Sequence, residues 1–188
     1  MADMPQAAIF LDRDGTITVD TGYIFRVDEM EFMPNAVEGL LALKELDRPF
    51  VVVSNQGGIG LGKFNERDLF AYNAELARRL QEFDIRIHAW YHSPFHPQAI
   101  HPHLLGESEC RKPAPGMLLR AAREHDLDLK SSWMIGDRHS DVEAGMRAGC
   151  RAIRLSSEPD GSAPTTTFTA PDLLAASRII CGASPQGS

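Results

Sequence analysis

The chain has few cysteines, no surplus of positive charge and no long apolar run. Its cysteines are Cys110, Cys150 and Cys181; an odd, scattered set makes no disulfide framework and points to a reducing compartment. Lys and Arg number 19 against 26 Asp and Glu, for a formal net charge of −7. That argues against a general nucleic-acid or acidic-membrane binder, because such proteins concentrate positive charge. It leaves room for a small anion held by a few local cations or a metal. No apolar stretch approaches the ~20 residues needed to span a bilayer, and MADMPQAAIFLD has no basic region leading into an apolar one. The expected setting is cytoplasmic, with a small-molecule partner, no nucleic acid and no membrane.

What is present is a soluble composition, 43% hydrophobic and 24% charged over 188 residues, enough for one domain of ordinary size. Short apolar runs alternate with longer amphipathic stretches. Residues 7–11, 49–54, 85–91, 132–136 and 151–155 read as strands. Residues 35–46, 65–83, 115–126 and 140–149 read as helices, with Asn65 as an N-cap and Pro115 suited to a first turn. The expectation is a single domain over 1–188: a core at about 7–155, a Ser/Thr/Pro-rich loop at 156–169 and a C-terminal helix at 170–180. Alternating strands and helices imply an α/β fold, a three-layer doubly wound parallel sheet. Such folds bind ligands beyond the carboxyl ends of the strands, where the strand order reverses.

The segments at those ends are rich in polar groups. Asp12-Arg13-Asp14-Gly15-Thr16 follows the first strand and Ser54-Asn55-Gln56-Gly57-Gly58 the second. Arg111-Lys112-Pro113 precedes the helix at 115, and Asp137 and Asp141 follow the fourth strand. Any one of these alone reads as an ordinary turn; together, on one predicted edge, they suit phosphoryl chemistry. A carboxylate can attack phosphorus and form an aspartyl-phosphate, and the anionic phosphoryl group needs neutralising charge. Mg²⁺ takes hard oxygen ligands, which Asp12, Asp137 and a backbone carbonyl near Asp14 can supply. Lys112 adds positive charge, and the Ser54 hydroxyl with backbone N–H groups around Asn55 can complete a cradle. Asp14 is placed to act as general acid and base, and Gly15 lets the chain turn tightly behind the pair.

DRDGTI, SNQGG, CRKPAPGM and GDRHSD, in that order over about residues 7–155, resemble the four motifs of the haloacid dehalogenase (HAD) superfamily of aspartate-nucleophile phosphatases. The resemblance implies Asp12 as nucleophile, Asp14 as acid/base, Ser54 and Lys112 on the transferring phosphate, and Mg²⁺ held by Asp12, the Asp14 carbonyl and Asp137, with Asp141 as a supporting partner rather than a ligand. VDTGYIFRVDEMEFMPNAVEGLLALKEL, VVVSNQGGIGLGKF and CRKPAPGM resemble the capless sugar-phosphate branch, and the histidinol-phosphatase branch fits the 20–63 region less well. The short connection from Thr16 to Pro34 leaves no room for a large cap. The resemblance also implies substrate contacts from Asp20 to Tyr23 and from Arg111 and Arg138. A bisphosphate needs a second cation for the phosphate that is not cleaved, and Arg111 suits that task. A phospho-accepting receiver domain would place its aspartate after the third strand, where this chain has His92-Ser93-Pro94. A catalytically silent module is at odds with a complete set of catalytic groups. A monomer is expected.

The loop from His92 to Arg111 departs from the pattern. In the relatives that the chain resembles it binds a structural Zn²⁺ through Cys-Pro-His-His-Pro and a later Cys-x-Cys. Here Ser93, Phe95 and Ser108 stand at three ligand positions, and Cys110 alone remains. One thiolate does not make a four-ligand site, so zinc is expected to be absent, although His92, His96, His101 and His103 are potential replacement ligands. Phe95 is expected to fill the apolar space beside the old metal position. Gly57 and Leu61 stand where relatives carry Ser and Arg.

Overall fold

The computed structural model describes residues 5–157 and 167–183. Six strands, β1 Ile9–Leu11, β2 Phe50–Asn55, β3 Ile87–Ser93, β4 Trp133–Gly136, β5 Arg151–Leu155 and β6 Thr167–Ala170, form one sheet in the order β3-β2-β1-β4-β5-β6. All neighbours pair in parallel. The chain builds outward from β1 through β2 to β3, then returns to lay β4 on the other side of β1. The order therefore reverses between β1 and β4.

The helices are α1 Ala36–Lys44, α2 Gly57–Gly60, α3 Glu66–Gln81, α4 Gly116–His125, α5 His139–Ala148 and α6 Leu173–Ala183. Alternation along the strands sorts them into two outer layers. Ile9 and Leu11 point to the face covered by α1, α3 and α6, where Leu40, Leu43, Tyr72, Leu76, Leu80, Leu173 and Ile180 are buried. Phe10, Val51 and Val53 point to the face covered by α4 and α5, with Met117, Leu118, Ala144 and Ala148. This is the expected three-layer α/β architecture. Asn65 caps α3 as expected, its side chain accepting from Arg67 N and Asp68 N while Asp68 returns a bond to Asn65 N.

The expected loop at 156–169 requires correction. Its residues 167–169 belong to β6, which pairs Thr167 to Ala170 with Ala152 to Leu155. The β-branched and aromatic residues of TFT suit an edge strand, a signal hidden by the threonine-rich run before it. Residues 158–166 lie outside the described residues. The last helix starts at Leu173 instead of 170, because Ala170 completes β6 and Asp172 Oδ1 accepts from Ala175 N at 2.8 Å. No helix of the described residues is long and apolar enough to cross a membrane. The two connections that could hold a cap, residues 12–35 and 94–115, each form one 3-10 turn and isolated β-bridges, with no helix or strand long enough to build a cap.

Candidate active site

The carboxyl ends of β1, β2 and β4 enclose a cleft of about 320 Å³ lined by Asp12, Asp14, Ser54, Lys112, Asp141 and their neighbours. Asp12 follows β1 and Asp137 follows β4, so the two flank the point where the strand order reverses. Lys112 is buried, and its Nζ donates to Asp12 Oδ1 at 2.6 Å, to Asp141 Oδ1 at 2.6 Å and to the Val53 carbonyl at 2.7 Å. Asp141 Oδ2 accepts from Arg138 N at 2.9 Å at the start of α5. Both Asp141 oxygens therefore have protein partners.

Burial pushes the Asp12 carboxyl up to about 7, against the pull of Lys112 and helped by Asp141 and Asp14. Burial likewise pushes Asp137 up to about 6, with Asp141 adding to it. Lys112 is shifted upward: burial opposes its charge, but Asp12 and Asp141 outweigh that. The buried Asp137 Oδ1 has no hydrogen-bond partner, an expensive arrangement unless something takes the lone pair. Ligand oxygens of Asp12, Asp137 and Asp141 lie within 4.8 Å of one another. These crowded hard donors, one of them unpartnered, fit a divalent cation. Gly15 has φ +83°, and a Cβ there would stand 2.6 Å from Asp137 Oδ2. Glycine is thus required both for the turn and for the close approach of the carboxylate.

Two residues with no assigned role complete the setting of Asp14. Arg13 is buried beneath the cleft, and its Nε and Nη2 grip Asp14 Oδ1 and Oδ2, each at 2.8 Å. It also donates to Asn73 Oδ1 at 2.8 Å and lies 4.4 Å over the Tyr72 ring. Buried Gln56 donates to Asp14 Oδ2 at 2.9 Å and to Ser54 Oγ at 2.7 Å, tying β2 to the β1 loop. The only local signal for either was its place inside a motif. Asn55 has an unexpected role: its side chain exchanges two bonds with the Lys112 backbone, Nδ2 to O at 2.9 Å and N to Oδ1 at 3.0 Å.

The expected substrate contacts also gather here. Asp20, Tyr23, Arg111 and Arg138 line the cleft. Arg138 Nη2 donates to Asp20 Oδ2 at 2.7 Å, closing the lip of the cleft from the α5 side. Arg111 Nη1 donates to the Phe95 carbonyl at 2.7 Å.

The loop before Lys112 keeps the outline of its pattern. Cys110 Sγ sits 3.1 Å from Ser108 Oγ and 3.3 Å from Ser93 Oγ, so three of the marked positions meet around one point. The histidines do not join them. His92 Nε2 lies 3.4 Å from Glu66 Oε1, His101 and His103 are exposed, and His96 lines the cleft. Among the described residues, Asp12, Asp137 and Asp141 form the only group of three or more such side chains with converging ligand atoms. Phe95 is half-buried, lies outside the core clusters of the described residues and contributes its carbonyl to Arg111. The loop is held instead by main-chain bonds: His96 N to Leu104 O at 3.1 Å, Gly60 N to Pro94 O at 3.1 Å and Ile100 N to Gly60 O at 2.8 Å.

An aspartate-rich β1 loop, a buried lysine and an acidic trio at the switch point of a parallel sheet define a class, and known proteins agree with it. A family model described as HAD-hydrolase-like matches residues 109–177. The structure is similar to the D,D-heptose 1,7-bisphosphate phosphatase of B. bronchiseptica, solved with magnesium and phosphate, with a TM-score of 0.83, 27% identity and coverage of 95% of this chain and 99% of that one. The chain is a phosphatase of the HAD-like class. In sequence it is 38% identical to the D-glycero-beta-D-manno-heptose-1,7-bisphosphate 7-phosphatase of Photorhabdus laumondii, covering 81% of this chain and 82% of the relative. It is 32% identical to the alpha-anomer phosphatase of the same organism, covering 91% and 94%. It belongs to the family of D-glycero-D-manno-heptose-1,7-bisphosphate 7-phosphatases.

Proposed function

We propose that this chain removes the 7-phosphate of D-glycero-D-manno-heptose 1,7-bisphosphate, with Asp12 as nucleophile. The observation that carries the reading is Asp12 itself, at the switch point, 2.6 Å from the buried Lys112 cation and at the floor of an open cleft. An Asp12 oxygen attacks phosphorus as the P–O bond to the sugar breaks, and Asp14 gives the leaving alkoxide its proton. In the second half Asp14 takes a proton from water, which attacks the aspartyl-phosphate, releasing phosphate and restoring Asp12. Lys112 moves from its carboxylate partners toward the phosphoryl oxygens, and the Ser54 hydroxyl, oriented by Gln56, holds another. Asp12, Asp137 and the Asp14 carbonyl would hold Mg²⁺, which when bound supplies charge neutralisation for the transferring group. Arg13 keeps the Asp14 carboxylate oriented. Asp20, Tyr23, Arg111 and Arg138 contact the remainder of the substrate.

The protein acts as a monomer, and Ser93, Ser108 and Cys110 hold their loop by hydrogen bonds without zinc. The test is hydrolysis, with Mg²⁺, of both anomers of the heptose bisphosphate, heptose 7-phosphate, histidinol phosphate and an aryl phosphate, by wild type and Asp12→Asn. The expected result is a preference for a heptose bisphosphate that is abolished by the substitution. A preference for histidinol phosphate, or turnover that survives Asp12→Asn, overturns the reading.

A further inference from the structure

The cleft wall contains a histidine, His96, that is a potential metal ligand by sequence but joins no metal-ligating group among the described residues. His96 lines the cleft beside Arg111. Its ring orientation is fixed from behind, where Nδ1 accepts from Gln98 N at 3.0 Å. That bond places the proton of the neutral ring on Nε2, so the opposite edge of the ring is a donor. Burial, then Arg111, lowers the pKa of His96, which favours this neutral form. The main chain at His96 is equally fixed, bonded through N to Leu104 O at 3.1 Å and through O to Gly106 N at 3.2 Å.

In this chain the present position of the ring depends on Gly57. A Cβ at position 57 would lie 2.9 Å from His96 Cδ2 and 3.2 Å from Arg111 Nη1. Both side chains therefore crowd the same point over the α2 turn, and the missing side chain makes their space. Arg111 Nη1 is committed to the Phe95 carbonyl, which fixes the guanidinium plane while its other N–H groups remain to bind. A neutral donor and a cation close together on one wall of the cleft suit an anionic group with several acceptor oxygens.

We propose that His96 is a specificity-determining residue: its Nε2–H, set beside Arg111 over Gly57, takes the phosphate that is not cleaved. The inference rests on the bisphosphate reading above. Its measure is the ratio of kcat/KM for heptose 1,7-bisphosphate to that for heptose 7-phosphate, which share the reacting group and differ in the distal one. His96→Ala should lower that ratio about tenfold, the scale of one hydrogen bond to a charged group, mainly through KM for the bisphosphate. His96→Gln, which restores an N–H at similar reach, should recover much of it. Gly57→Ala should lower the ratio by a similar factor by displacing the ring, and the double variant Gly57→Ala/His96→Ala should fall no further than either alone. This non-additivity is what a general loosening of the loop would not produce. A wild type with no preference for the bisphosphate overturns both the functional reading and this inference. A wild type with the preference, retained by His96→Ala or lost additively with Gly57→Ala, overturns the inference alone.

Discussion

The two ends of the cleft are built differently. At the reacting end the ionised groups are buried and closely paired: Lys112 makes three bonds, Asp141 uses both oxygens, and Asp14 is held by Arg13 and Gln56. At the distal end Arg111 is half-buried and Arg138 exposed, each tied by one hydrogen bond of 2.7 Å, and His96 stands on a loop bound by its main chain. Buried charges demand exact partners because each unpaired one is costly. A partly solvated wall tolerates substitution. This difference accords with the departures at half-buried Phe95 and Ser108 while Asp12 and Lys112 stay in place; Ser93, itself buried, keeps its polar group paired with Cys110.

The sharpest way to break this comparison is at the reacting end. Asp12→Asn should reduce kcat by at least about a thousandfold, since loss of a nucleophile removes the covalent route; steady-state turnover of an aryl phosphate measures it. Lys112→Ala should be nearly as severe for activity and should also destabilise the fold by about 3–5 kcal/mol, because it leaves Asp12 and Asp141 buried without their cation; urea unfolding reads this. Gln56→Ala comes next, with kcat down about tenfold to a hundredfold as Asp14 and Ser54 lose a shared donor. Turnover unchanged by Gln56→Ala would show that Arg13 alone suffices to hold Asp14.

The pH dependence follows from the raised carboxyls. Asp12 at about 7 and Asp137 at about 6 hold protons in the folded metal-free chain that the unfolded chain releases near 3.8. Their contribution to stability is therefore full below about 3.8 and is lost as pH rises through 6 to 7. With chelator present, the melting temperature should fall over that window; Mg²⁺ should restore it, by more at pH 7.5 than at pH 5. A profile that is flat with chelator would show the trio to be neutralised by other means. The smallest effect belongs to the distal loop: Cys110→Ser should cost no more than about 1 kcal/mol, the scale of a single hydrogen bond, and metal analysis of the purified protein should find no stoichiometric zinc.

The sequence made the local features legible and left most long-range ones hidden. The bounds of β5 and the Asn65 cap are readable because both are written in adjacent residues. The residues at the strand ends could be gathered because parallel topology sends them to one edge. What could not be read was pairing across distance: Gln56 on Asp14, the Asn55 side chain on the Lys112 backbone, and Lys112 shared between two carboxylates. Each depends on side-chain directions set by packing, not on a spacing. β6 escapes a reading of the sequence because a short edge strand beside a polar run has no periodicity to announce it.

The bond pair between Asn55 and the Lys112 main chain has one more consequence. It joins two points 57 residues apart in the chain, so Lys112 is registered against the end of β2 and not against whatever precedes it. The segment between Ser93 and Arg111 can thus lengthen, shorten or exchange its internal fastening without moving the lysine. It behaves as an interchangeable cassette, and grafting such a cassette from a relative is a route to a new substrate range on an unchanged reaction centre.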